Sequence, residues 1–336
     1  MSKLTIAQHA LFAVLLLLFV VTDSAAAPAC GGIDLVARMR QEAPQSYARL
    51  QSEAATIANG QGLLWRVEKA GAQPSYLFGT IHITDERVTK LAPPVRAALE
   101  AAGSVAVESV EALDRVAMQE NLQTYKPLMF FQDGRSLAQH LSEDRRAALD
   151  EALKSLGGKI EALGAAKPWV VAATLAAPPC ETARQAELPV VDQIVADRAE
   201  QAGLPLVSLE SVEEQLSAFD AIPLDLQAEY LIASVRLFPR LEDLYSTMTE
   251  LYVQRRIASI EALSRILSEQ AGISEVGYDA FNDSLVERRN AVILTRALPL
   301  IDKGNAFIAV GALHLIDDKG LVALLREKGY KVTRVY

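Results

Sequence analysis

Apolar and polar positions along this chain repeat with two periods, and the switches between them mark its elements. Residues 33–57 carry apolar positions at helical spacing and stop at an Asn-Gly-Gln-Gly run, 59–62. Residues 63–68 then read as a strand, 70–75 as a turn and 76–81 as its hairpin partner. Pro93-Pro94 opens a helix that runs to Ala102 and closes at Gly103, and a short apolar strand, 104–107, arrives at Glu108. From 113 to 177 the pattern is helical, with breaks at Lys126-Pro127, Gly157-Gly158 and Lys167-Pro168. Residues 191–202 predict a helix closed by Gly203, and 204–209 a strand arriving at Glu210. Ser211-Val212-Glu213-Glu214 fits a capping box for the next helix. Charged helical periodicity then runs from 224 to 270, and a further helix covers 283–301. The chain closes with a strand (306–310), a helix (320–328) and a strand (330–336).

Strand–helix–strand units with glycine at the helix ends predict an α/β (α+β) fold. A mixed central sheet would carry helices around it in one domain over residues 30–336, with helical segments inserted at about 113–180 and about 224–270. Residues 1–29 are set apart. Lys3, an apolar run at 11–21 and Ser24-Ala25-Ala26-Ala27 have the order of a secretory signal peptide, which suits export to a bacterial periplasm or beyond. That apolar run is short for a bilayer span, and no later run approaches transmembrane length.

Charge narrows the partners. The formal net charge is −9, and Lys3 and Asp23 cancel within the signal, so the mature chain keeps it. Such a balance argues against a nucleic-acid backbone or an anionic membrane surface as partner. The two cysteines, Cys30 and Cys180, predict one disulfide in an exported protein. A lipid anchor on Cys30 is the lesser alternative, since Ala27-Pro28-Ala29 departs from the usual attachment pattern.

Candidate chemistry gathers at strand ends. "YLFGTIHITD" places His82 three residues after Gly79, and "AFIAVGALHLIDD" places His314 three residues after Gly311. With Glu108 and Glu210, these side chains all stand where a short apolar strand stops, the position at which open α/β sheets bind ligands. If the strands are neighbours, two imidazoles and one or two carboxylates converge. That set can ligate a divalent metal with a position left for water, a further carboxylate serving as general base or orienting a histidine. Against this, a lone histidine is more often an ordinary polar residue, and no His-Glu-x-x-His makes the pattern specific. Arg289 and Asn290 lie in the late helix, where they either hold a substrate carboxylate or oxyanion or form a solvated face. His9 falls in the signal, His140 is expected on the surface, and Trp65 and Trp169 are expected as packing anchors. There is no Gly-x-Ser-x-Gly, Walker loop or Cys-x-x-Cys.

The stretches "SYLFGTIHITD", "VAVESV", "LVSLESVEEQL", "ERRNAVILTRALPLI" and "FIAVGALHLIDDKGLVALLREKGYKV", in that order, resemble the TraB/GumN family, which includes the Tiki-type metalloproteases. The resemblance spans residues 63–336. It implies a fold like that of the erythromycin-esterase and ChaN-like proteins. It also implies a divalent metal, Mn2+ or Co2+ more readily than Zn2+, and cleavage of peptides near their N-termini. Carried over, the metal ligands are His82, His314 and Glu108, with Glu108 as ligand or general base and Glu210 behind it. Arg289 and Asn290 would position the substrate or its oxyanion. The leading expectation is an exported metal-dependent peptidase. Its rivals are a metal-independent His/Glu hydrolase and a protein that captures a peptide or small molecule without turnover.

Overall fold

A computed structural model describes residues 30–336, so the segment expected to be a signal peptide, residues 1–29, lies outside the described residues. Six strands form one mixed sheet: β1 (Leu64–Glu68), β2 (Ser75–Thr80), β3 (Ser104–Val107), β4 (Leu206–Ser208), β5 (Ala306–Gly311) and β6 (Lys331–Arg334). Their order is β4-β3-β5-β2-β1-β6. β1 and β2 are the antiparallel hairpin, β6 pairs antiparallel with β1, and β4, β3, β5 and β2 run parallel. The central parallel strands β3 and β5 are the most apolar and buried, as strands covered on both faces must be, whereas the edge strand β4 is only half-buried. Phe307, Ile308, Ala309 and Val310 of β5 are fully buried at the centre of the main core.

The connections are helical and proline marks some of their breaks, although Pro127, an expected break, lies inside the helix Arg115–Met129. The first helical stretch divides at Pro44 into Leu35–Glu42 and Pro44–Thr56. The long charged stretch divides into Leu224–Leu237, Leu241–Val253 and Ile257–Ala271. Its first break is a 3-10 turn holding Pro239, and its second carries Arg255 at φ 61°. β4 is shorter than its apolar run because Pro205 has no N–H for the ladder and supplies only its carbonyl, to Val105. Between β3 and β4 the chain builds a second small core, in which Leu137, Leu149, Leu153 and Ile160 pack against Leu231 and Val235.

Both tryptophans are buried, and Trp169 stacks on Phe219 with ring centroids 5.1 Å apart. His140 departs from its expected surface place. Its side chain is only 12 % exposed and stacks on Phe131 at 3.7 Å, with Asp133 beside Nε2, because an amphipathic ring covers apolar surface while keeping a polar tip wet. Cys30 and Cys180 form a disulfide, which leaves neither sulfur free for a lipid. Among the described residues, no helix is long and apolar enough to cross a membrane.

Candidate functional site

The parallel strands point their carboxyl ends at one edge of the sheet, and each delivers one side chain there. Glu210 follows β4, Glu108 follows β3, His314 follows β5 and His82 follows β2. β2 and β5 are neighbours with Thr80 opposite Gly311, so the two Gly-x-x-His units start side by side. The glycines are there for close approach. A Cβ on Gly79 would lie 2.9 Å from Leu315 and 3.0 Å from the Ala312 backbone, inside the second unit. A Cβ on Gly311 would stand 3.2 Å from Glu108 Oε1, which instead accepts the Gly311 N–H at 2.7 Å.

One cation ties the two glutamates together. Arg289 Nη2 donates to Glu108 Oε2 at 2.8 Å and to Glu210 Oε2 at 2.7 Å, while Nε donates to Glu210 Oε1 at 3.0 Å. Its Nη1 donates to the Leu285 carbonyl at 2.9 Å. That carbonyl belongs to a π-helical turn, Asp283–Glu287, which leads into the helix Arg288–Lys303. Wider turns of this kind re-phase a helix, and they collect at functional sites. Here the next two residues serve different partners, Arg289 the carboxylates and Asn290 the imidazole of His314. Gln215, on the capping-box helix Val212–Asp220, adds a bond to Glu108 Oε2 at 3.3 Å.

The Asn290 side chain settles the tautomer of His314. Nδ2 of Asn290 donates to the Lys319 carbonyl at 2.9 Å, which leaves Oδ1 facing His314 Nδ1 at 2.7 Å. Assigned from this network, Nδ1 carries the hydrogen and Nε2 the lone pair. His314 is 4 % exposed, and burial pushes its pKa down to about 4, so the ring is neutral at physiological pH. Burial also works against the charge on Glu108. His314, Arg289 and the Gly311 N–H outweigh it and bring the carboxyl to about 2. His314 Nε2 and Glu108 Oε1 therefore confront each other as two acceptors 3.6 Å apart.

His82 stands in a different setting. Its side chain is 60 % exposed, and Nδ1 lies 3.2 Å from Asp192 Oδ2. The Asp192 charge lifts its pKa to about 9, although solvent around so exposed a ring screens that pairing. The turn itself is held from several sides. Tyr252 Oη donates to the Gly79 carbonyl at 2.7 Å, Gln185 Nε2 to the His82 carbonyl at 2.9 Å, and the Thr84 N–H to Glu181 Oε1 at 2.7 Å.

The donor chemistry fits a divalent cation at the buried half, where His314 Nε2 and Glu108 Oε1, both lone-pair donors to metals, stand 3.6 Å apart. His82 is not drawn in: among the described residues, no three His, Cys, Asp or Glu side chains gather closely enough to hold an ion. A cleft of about 330 Å³ is lined by Asn290 and Leu313 and shares only Asn290 with these groups, so both histidines stand outside it.

The profile of the TraB/PrgY/gumN family matches residues 63–334, which takes in every strand and all four of these side chains. The chain belongs to that family. No curated protein and no solved structure matches it.

Within this TraB/PrgY/gumN protein, the structure brings Glu108, Glu210, Arg289, Asn290 and His314 into one bonded cluster, with His82 on the neighbouring strand end. Arg289 and Asn290 have their hydrogen-bonding groups engaged within the protein, so they hold other side chains in place. Sequence reasoning missed Asp192, Gln215 and Tyr252. Asp192 opens the helix Val191–Gln201, where an acid reads as an ordinary complement to the helix dipole. Its one signal is burial beside an apolar pair, Val190-Val191, which pattern alone does not separate from a helix start.

Proposed function

We propose that this chain is a divalent-metal-dependent hydrolase of peptides that works outside the cytoplasm. The observation that carries the proposal is the buried apposition of His314 Nε2 and Glu108 Oε1, an imidazole nitrogen and a carboxylate oxygen 3.6 Å apart. His314, Glu108 and, from the exposed side, His82 would hold the ion, Mn2+ or Co2+ in preference to Zn2+. When bound, such an ion would polarise a carbonyl and acidify a water.

The chain's own residues prepare for this. Glu108, held at about 2, stays anionic throughout the physiological range, so it suits a ligand better than a proton acceptor. His314 keeps its lone pair because burial keeps it neutral and Asn290 takes its Nδ1–H. Arg289 balances Glu108 and Glu210 from behind. His82 must release its proton to join, so loading is expected to strengthen as pH rises toward about 9. The disulfide supports an oxidising compartment and hence export. Peptides are the substrate class that the family resemblance implies.

A metal-independent hydrolase is the second reading, favoured by the separation of His82 from the other donors. In it, charged His82 would give a proton to the leaving group while His314 and Glu108 hold the attacking water. The test uses purified residues 30–336. Bound metal is measured, and a peptide library is assayed with and without chelator. The expected result is about one ion per chain, cleavage abolished by chelator and restored by Mn2+ or Co2+, and a loss of at least about 100-fold in His314→Ala. Chelator-insensitive cleavage overturns the metal in favour of the second reading. Peptide bound without cleavage under any metal makes the chain a capture protein.

A further inference from the structure

Asp192 is a carboxylate at this edge that no strand end supplies. It enters from the first turn of the helix Val191–Gln201, which packs against the parallel strands, and it is only 3 % exposed. One oxygen is plainly engaged, since Oδ1 accepts the Thr80 hydroxyl at 2.8 Å, at the end of β2. The other oxygen, Oδ2, is buried with no hydrogen-bond partner of its own. A buried, unpartnered carboxylate oxygen costs several times what a satisfied one does, so its surroundings should answer for it. The donor that faces it is His82 Nδ1, at 3.2 Å. The opposite histidine shows the same arrangement completed, with Asn290 Oδ1 on His314 Nδ1 at 2.7 Å.

We propose that Asp192 is the positioning residue of the exposed half of the site. It accepts the Nδ1–H of His82, fixes the rotation of the ring, and leaves Nε2 as the atom that meets the ligand. This inference rests on the proposed hydrolase for its consequence in catalysis, but not for its structural content. Thr80 and Asp192 form a short relay from the strand to the ring, so the Gly-x-x-His turn is set by its backbone and by this carboxylate together. A histidine whose ring is 60 % exposed would otherwise sample several rotamers and present either nitrogen. Partners of this kind behind a metal-binding histidine typically account for a roughly 10–100-fold effect on affinity or rate.

The experiment reads the ring before it reads turnover. In the full mature chain, the His82 Nδ1–H is sought as a downfield, exchange-protected proton bonded to ring nitrogen, identified by its loss in His82→Gln. It is expected in the parent protein, absent in Asp192→Ala and recovered in Asp192→Asn, whose amide oxygen can still accept it. Co2+ affinity and kcat are then expected to fall roughly 10–100-fold in Asp192→Ala with KM little changed, and to recover in large part in Asp192→Asn. Should Asp192→Ala not fold, Asp192→Ser replaces it, since a hydroxyl can serve Thr80 yet falls short of the ring. A parent protein lacking the Nδ1–H signal, or an alanine or serine variant that keeps it, overturns the role of Asp192. A parent protein that shows the signal but neither binds Co2+ nor cleaves peptides overturns the hydrolase and leaves Asp192 as the group that holds His82.

Discussion

His314 sits 4 % exposed with an amide at its Nδ1, whereas His82, reached by the same Gly-x-x-His path, is 60 % exposed at its side chain with a carboxylate there. The path fixes where each ring starts and says nothing of its charge. Burial holds His314 neutral down to about 4, and Asp192 lifts His82 to about 9. One motif used twice thus yields a neutral donor on the buried side and a proton-bearing ring on the wet side. The difference lies in the neighbours: a helix that brings an amide to one histidine, and a helix that brings an acid to the other.

The sharpest way to break this comparison is to remove the cation on which the buried half depends. Arg289→Ala leaves Glu108 and Glu210 in a buried site without their shared guanidinium. A loss of about 3–5 kcal/mol in denaturant unfolding is expected, because an uncompensated buried charge is far costlier than a missing contact. Arg289→Lys should recover less than half of it, since an ammonium cannot reproduce the fork that serves Glu108, Glu210 and the Leu285 carbonyl together. His82→Ala, on the wet side, should cost about 1 kcal/mol or less. If the two halves proved equally costly, the division into a buried and an exposed half would be wrong.

A second break acts on the exposed half alone. The Cys30–Cys180 bridge anchors the start of the helix Pro179–Glu187, and that helix holds the His82 turn through Glu181, Arg184 and Gln185. Replacing both cysteines by serine is expected to lower stability by about 2–4 kcal/mol, chiefly through the unfolded chain. The local reading is more telling. Amide exchange at Thr84 should quicken, while the Gly311 N–H, bonded to Glu108 on the buried side, should stay protected until global unfolding.

The sheet was largely legible in the sequence because parallel buried strands are continuous apolar runs, and their ends are marked by a glycine or a charged residue. The same rule found His82, Glu108, Glu210 and His314, since a strand end is a local feature. What stayed hidden is what long-range packing supplies. Asp192 meets Thr80 across 112 positions, and Arg289 meets Glu108 across 181. The π turn before Arg289 leaves no mark in an apolar pattern, yet its Leu285 carbonyl accepts a bond from Arg289. His140 misled for a related reason. Its polar flanks predict solvent, while its ring lies flat on Phe131, which falls outside its own helix.

The mildest test exchanges the two partners and leaves the histidines alone. Asp192→Asn gives His82 the kind of neighbour His314 has, and Asn290→Asp does the reverse. At pH about 6.5 the first exchange should cost about 1 kcal/mol or less, as for other solvent-screened pairs. Its cost should shrink as pH rises, and the sign follows from linkage. A raised histidine pKa gives stability that is fully present below the unfolded value of 6.5 and is lost as pH rises through about 9. The parent protein should therefore lose stability across that alkaline window, and Asp192→Asn should be flat there. A lowered histidine pKa gives stability that is present above 6.5 and lost as pH falls toward about 4. Asn290→Asp sets a carboxylate against His314 and favours its charged form, so its acid-side loss should shrink. Urea midpoints from pH about 4 to about 9 read both slopes at once. If the alkaline slope survives Asp192→Asn, then Asp192 does not set the charge of His82, and the contrast between the two histidines reduces to burial alone.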